Sequence, residues 1–215
     1  MNYQTLNLGS RTIEFRPWIV KDKYNITQAK TPYDKRKALV YNCLKDPNTP
    51  LDINEYQYTL FAIRNASLDY LTDYEVTCEH CVKDYRLSID FKDVIKPRYA
   101  DYTPIETKHI ITLGDIKNQS YYEEAMQAET NSDKRYLIDF VLHIDSIDDI
   151  PPLGAPAVID FLESLDIIEF EHIMTLWDSK RFSFDLLGAG LCPYCGHKTL
   201  YRFNSVQNFF PNSWY

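Results

Sequence analysis

Two hydrophobic periods alternate along the chain. Ile13 and Phe15 alternate with polar neighbours in the stretch Ser10 to Val20, and Pro17 cannot donate to a ladder, so a short strand is predicted to end there. From Lys21 to Tyr70 the spacing turns helical. Thr31 followed by Pro32 marks a helix start, and Leu39, Val40, Cys43 and Leu44 fall on one face of the helix it would begin. Asp52 is the candidate cap of the next helix, whose stripe is Ile53, Tyr56, Leu60 and Ile63. Period two returns at Tyr85, Leu87, Ile89 and Phe91, which alternate with Arg86, Ser88 and Asp90 and so predict a half-buried strand after a shorter one. A further strand is predicted over Lys108 to Leu113.

The stretches 121–129 and 132–147 read as helices, the second with Ser132 as cap, and Pro151 and Pro152 close that region. A helix with proline in its first turn is predicted from Ala155. Another is capped by Asp166, with Ile167, Phe170, Ile173, Met174 and Trp177 on one face. The run from Arg181 to Leu187 reads as a strand leading into Gly188 and Gly190. The chain alternates again through Leu200 and Arg202.

The 215 residues are 45% apolar and 25% charged, which suits a soluble globular protein with one sizeable domain, alone or with a small satellite. Seventeen Tyr against six Gly point to a chain fixed by aromatic contacts and suited to protein–protein contact. A net charge of −8 argues against general nucleic-acid binding, which draws its affinity from neutralised phosphates. The basic cluster Lys21, Lys23, Lys30, Lys35, Arg36 and Lys37 reads as a solvated helix face, and so do the acidic Glu163, Asp166, Glu169 and Glu171. Asp148 and Asp149 read as ordinary surface carboxylates. No run reaches the roughly 18 apolar residues of a membrane span, and the first fifteen residues lack the layout of a signal peptide. The expected compartment is therefore a reducing cytosol, where thiols remain available to a metal.

Five cysteines fall at 43, 78, 81, 192 and 195. Cys78, Cys81, Cys192 and Cys195 form two Cys-x-x-Cys pairs, each in a strand-turn-strand setting, with Pro193 and Gly196 shaping the second turn. Two such turns supply the four-thiolate shell preferred by zinc, so a structural Zn site is predicted at these four residues. A saturated site leaves no open position for a reacting water. His80 and His197 flank the pairs as rival ligands, but four sulfurs already complete the shell, so both are expected outside it or in solvent. Cys43 is read as a buried thiol on a helix face. The Cys-Pro-Tyr-Cys motif alone would suit a thiol oxidoreductase, but a strand pattern follows it and only 20 residues remain beyond Cys195, too few for that fold. The sequence carries no GxSxG, phosphate-cradling loop or HExxH, and no enzymatic activity is expected.

The expected fold class is α+β, a split four-cysteine zinc-ribbon β module with a large helical insertion and an N-terminal helical segment. The predicted divisions are 1–70 for the N-terminal strand and helices, 71–113 with 182–215 for the ribbon, and 114–181 for the insertion.

An N-terminal L-x-L-G-S-R-x-I-E-F-R-P, a helical V-K-D-K, V-T-C-E-H-C running into L-S-I-D-F, and C-P-Y-C-G-H followed by N-F-F-P-N-S occur in that order. Together they resemble the small baseplate hub or hub-assembly proteins of T-even-type contractile-tailed phages. The resemblance implies a non-enzymatic virus protein made in the host cytoplasm and joined to other baseplate hub and tail proteins, with the virion tail baseplate as its further location. Phe209, Phe210, Trp214 and Tyr215 crowd the last seven residues, and such apolar surface is expected to fold back on the knuckle or dock on a partner. The competing reading is a zinc-ribbon adaptor for nucleic acid or the transcription machinery, for which Lys83, Arg86, Lys198 and Arg202 on the knuckle strands would form the basic face.

Overall fold

A computed structural model of the chain describes residues 2–30, 32–68, 72–89, 95–116 and 135–202. The first strand, β1 (Gln4–Asn7), pairs antiparallel with β2 (Thr12–Phe15), where Ile13 and Phe15 face inward as the alternation requires. Helices α1 (Val20–Gln28), α2 (Pro32–Leu39) and α3 (Ile53–Ser67) follow. Asp52 caps α3 by accepting from the Glu55 N–H at 2.7 Å, while Glu55 reaches back to the Asp52 N–H at 3.1 Å. Leu8, Phe15, Val40, Leu51, Leu60 and Ile63 are central to the core of this unit. Arg16 and Asp22 are buried beside it as a two-bond pair at 2.6 and 3.1 Å, and Arg16 also donates to the Asn42 carbonyl.

The helix expected to run from Thr31 to Leu44 is shorter than its pattern. It ends at Leu39, and Tyr41–Cys43 form a 3-10 turn. Strand pairing accounts for the difference. The Arg16 N–H donates to the Cys43 carbonyl, the Lys45 N–H donates to Glu14, and Phe15 bridges Leu44, so β2 claims backbone groups that a longer helix would have used. Cys43 is therefore buried in the turn and not on a helix face. Thr31 lies outside the described residues.

Two hairpins carry the paired cysteines. The first joins β3 (Thr72–Thr77) to β4 (Asp84–Ile89). The second joins β9 (Ser183–Leu191) to β10 (Lys198–Arg202), and β9 also pairs along its other edge with β5 (Ile95–Arg98). A small core of Phe61 from α3 with Cys78, Tyr85, Leu87 and Cys192 seats both hairpins, and Phe184 packs edge-on against Phe61 at 5.8 Å.

Among the described residues the third unit combines a sheet with three helices. Its sheet has the order β6 (Ile105–Glu106), β7 (Ile110–Leu113), β8 (Ile144–Ile147). Its helices are α4 (Arg135–Leu142), α5 (Ala155–Ser164) and α6 (Ile167–Lys180). Ile105, Ile111, Phe140, Val158, Ile173 and Trp177 are among its core residues. The helix expected to reach residue 147 stops at Leu142, because Ile144–Ile147 pairs with β7, where two β-branched isoleucines suit a strand. Asp148 and Asp149 then make a tight turn with φ of 51° and 65°, and Asp148 bonds His109 Nδ1 at 2.7 Å. Ile167 does not join the predicted stripe. It is 66% exposed, since six helical residues place it about a third of a turn away from the buried Ile173. Ser132 and residues 121–129 lie outside the described residues. Among the described residues no helix is long and apolar enough to cross a membrane.

Charged groups join the first and third units at the start of α3. His143 donates to the Gly114 carbonyl at 2.8 Å and pairs with Asp52 at 3.2 Å; Glu55 pairs with Arg11 at 2.6 Å; Asp139 accepts from the Ile53 N–H at 3.3 Å. His143 lies between the rings of Tyr102 and Trp177.

Candidate metal centre

Each Cys-x-x-Cys pair occupies the turn of its hairpin, and the two turns share one hydrogen-bond plan. The Cys78 N–H donates to the Lys83 carbonyl and the Val82 N–H donates back to Cys78. In the second hairpin the Cys192 N–H donates to His197 and the Gly196 N–H donates back to Cys192. The fourth residue after the first cysteine has positive φ in both, Val82 at 57° and Gly196 at 70°. That left-handed residue closes each turn with both sulfurs on the same side. Glycine enters this conformation freely, whereas valine enters it at a cost.

The hairpins face each other so that all four sulfurs lie within 4.8 Å of one another. The short distances run across the hairpins: Cys78 to Cys195 is 3.7 Å and Cys81 to Cys192 is 3.6 Å. Both exceed a disulfide bond. A tetrahedral ion about 2.3 Å from each sulfur requires sulfurs about 3.8 Å apart, so the residues fit such an ion. The same half-turn exchange governs the flanks. His80 stacks on His197 at 5.3 Å, and the Lys83 ammonium lies 4.9 Å from the centre of the Tyr194 ring. In each contact a residue two beyond the first cysteine of one knuckle meets a residue five beyond it in the other.

Neither motif taken alone reveals these flanking contacts. Their signal was present in the common numbering of the two motifs, since Lys83 and His197 occupy equivalent places. His80 and His197 are exposed and outside the four-sulfur group, as expected, but they face each other. The approach of the hairpins depends on Gly190. A β-carbon there would lie 2.4 Å from Leu87 Cδ1, so the absence of a side chain at this position lets β9 close on β4.

Cys78 and Cys195 are electrostatically unequal. The Cys81 N–H, with that of His80, favours the Cys78 thiolate and brings it down to about 6. The His197 N–H favours the Cys195 thiolate in the same way. Desolvation and the sulfurs of Cys81, Cys192 and Cys78 outweigh it and push Cys195 up to about 12. Four thiolates at these separations repel, so they need a cation to coexist. The segment after Cys195 pairs as β10, so no helix N-terminus activates Cys192 or Cys195.

The remaining sequence candidates separate from this centre. Cys43 belongs to the first core, where its sulfur is 3.9 Å from Asp22 Oδ2, and burial pushes it up to about 12. Of the acidic face, Asp166 caps α6 and pairs with Lys108 at 2.7 Å, and Glu169 is buried against the same lysine at 3.1 Å. Lys83, Arg86 and Lys198 are exposed on or beside the knuckle strands, with Arg202 at the end of β10. Phe209, Phe210, Trp214 and Tyr215 lie outside the described residues.

Residues 1–211 match a family model described as T4 bacteriophage base plate protein. No curated protein and no solved structure matches the chain.

Proposed function

The chain belongs to the T4 bacteriophage base plate protein family, and we propose that it serves the hub of the tail baseplate, as a component or an assembly factor, through contacts with other tail proteins. In this reading it is made in the host cytoplasm, catalyses no reaction, and holds one structural zinc ion at Cys78, Cys81, Cys192 and Cys195 in a split zinc ribbon. The observation that carries the metal assignment is the meeting of four sulfurs within 4.8 Å from hairpins 111 residues apart. Thiolates are the donors zinc selects, and a four-sulfur shell has no position left for substrate. Closing a loop of that length costs the unlinked chain on the order of 4 kcal/mol, and a structural zinc site supplies roughly 10 kcal/mol or more at neutral pH. The ion would therefore hold the hairpins together on Phe61 and present the rest of the molecule as one rigid contact surface.

Metal analysis of the purified chain is expected to give one zinc per chain, with the four ligand thiols protected from alkylation alongside the buried Cys43. A metal-free chain with Cys192 and Cys195 rapidly alkylated would refute the assignment. Cys78→Ser is expected to abolish zinc retention and lower Tm by more than 10 °C, read by calorimetry. For the hub role, the chain is expected in baseplate hub intermediates from infected cells. Its absence from virions would identify it as an assembly factor, and its absence from both would refute the role.

A further inference from the structure

We propose that the cleft between α4 and the C-terminal half of α6 docks a lysine or arginine side chain presented by a partner tail protein. The inference rests on the protein-contact role above and is independent of the zinc centre. The cleft has a volume of about 480 Å³. Asp139 of α4 lines one side, Phe170, Glu171, Met174, Trp177 and Asp178 of α6 line the other, and Arg181 just beyond α6 also belongs to the lining. Three carboxylates thus share an opening with two aromatic rings and a thioether. That composition matches a long side chain with an apolar stem and a cationic head. The last turns of α6 also carry the negative end of the helix dipole.

The fold supplies only part of the matching positive charge. Arg181 pairs with Asp178 at 3.0 Å. Arg181 and His143 lie near enough to Asp139 to favour its charge, but among the described residues neither Asp139 nor Glu171 forms an ion pair. Among the described residues the hydrogen bond that Asp139 accepts comes from the Ile53 N–H, and an asparagine oxygen would accept that bond equally well. Folding therefore does not require the charge at this position. Burial and the neighbouring Asp52 make the charge costly, pushing the Asp139 carboxyl up to about 6. Trp177 adds a second unspent group. It is 1% exposed, and its indole N–H is the only buried side-chain polar atom without a hydrogen-bond partner among the described residues. A peptide bearing a basic residue brings both complements, a cation for the carboxylate and carbonyl oxygens for an N–H donor.

The test titrates the full-length zinc-loaded chain with Ac-Gly-Arg-Gly-NH₂, Ac-Gly-Lys-Gly-NH₂ and Ac-Gly-Gln-Gly-NH₂. Binding is followed by NMR at the Trp177 indole resonance, assigned through Trp177→Phe. The arginine and lysine peptides are expected to bind saturably, at least tenfold more tightly than the glutamine peptide. Asp139→Asn is expected to weaken them at least tenfold, while Asp160→Asn on the exposed face of α5 leaves binding unchanged. Asp139→Asn keeps the Ile53 bond, and its unchanged zinc content and Tm at or above that of the parent would verify folding. The proposal is overturned by no saturable binding up to about 10 mM, by equal binding of the glutamine peptide, or by equal losses in the two variants. Any of these leaves the presence of the chain in hub intermediates untouched, so failure of the cleft is distinct from failure of the hub role.

Discussion

At the level of single residues, Val82 shows how closely the metal centre is specified. It holds φ 57°, a region that costs a side-chain-bearing residue about 1–2 kcal/mol, while its counterpart Gly196 holds φ 70° without that cost. Val82→Gly is expected to raise unfolding stability by roughly 1 kcal/mol, once the greater freedom of glycine in the unfolded chain is set against the relieved strain. Urea unfolding at matched metal content checks this, and an unchanged or lower midpoint would mean that the valine side chain packs to better purpose than its backbone suggests. The four ligand candidates were legible from spacing alone, because Cys-x-x-Cys is a statement about one turn. The turn-shaping role of Gly196 was legible too. That of Val82 was not, since valine is the residue least expected at positive φ. The Lys83–Tyr194 and His80–His197 contacts were legible only as equivalent places in the two motifs, since they form once two hairpins distant in sequence are opposed.

Among the elements, helices with strong caps were read correctly. Asp52 and Asp166 each accept from an N–H three residues on, and α3 and α6 begin where those caps place them. Helix ends were harder to read. At Tyr41–Cys43 and Ile144–Ile147 an apolar helical pattern continues, but backbone pairing with β2 and β7 outcompetes it, and no local periodicity encodes a partner strand. The reason for Gly190 was likewise invisible, because it lies across the hairpin interface. Gly190→Ala places a methyl 2.4 Å from Leu87 Cδ1 in a position where Leu87 is itself buried, so a loss of roughly 1–3 kcal/mol is expected. Leu87→Ala in the same chain should recover part of that loss. Thermal unfolding of the single and double variants measures the coupling, and strict additivity would show that the two residues do not meet.

At the scale of the molecule, the junction between the first and third units sets an acid–base balance. Burial opposes charge on His143, yet its bonds to Asp52 and Gly114 raise its pKa. Burial, then Asp52, brings Glu55 up to about 7 and Asp139 up to about 6. All three groups bind protons more readily folded than unfolded, so their contribution to stability is greatest in acid and is lost as pH rises through these values. The lowered carboxyls, such as Asp22, where the bonds from Arg16 outweigh burial, act in the opposite sense, but their contribution is complete above the ordinary aspartate range. Asp139→Asn is therefore expected to match the parent near pH 4 and to exceed it increasingly up to pH 7, by at most about 3 kcal/mol. Comparing urea midpoints of parent and variant at each pH cancels the proton dependence of the metal site. A constant difference across the range would show that Asp139 titrates normally.

The distance in sequence between the hairpins also imposes an order of events during synthesis. Cys81 leaves the ribosome 111 residues before Cys192. At 5–20 residues per second the first knuckle waits on the order of 5 to 20 s with two of the four sulfurs. Neither pair alone can bring four sulfurs together, so a chain that stops short of Cys192 cannot close the cluster, and the closed cluster records that translation has passed the second hairpin.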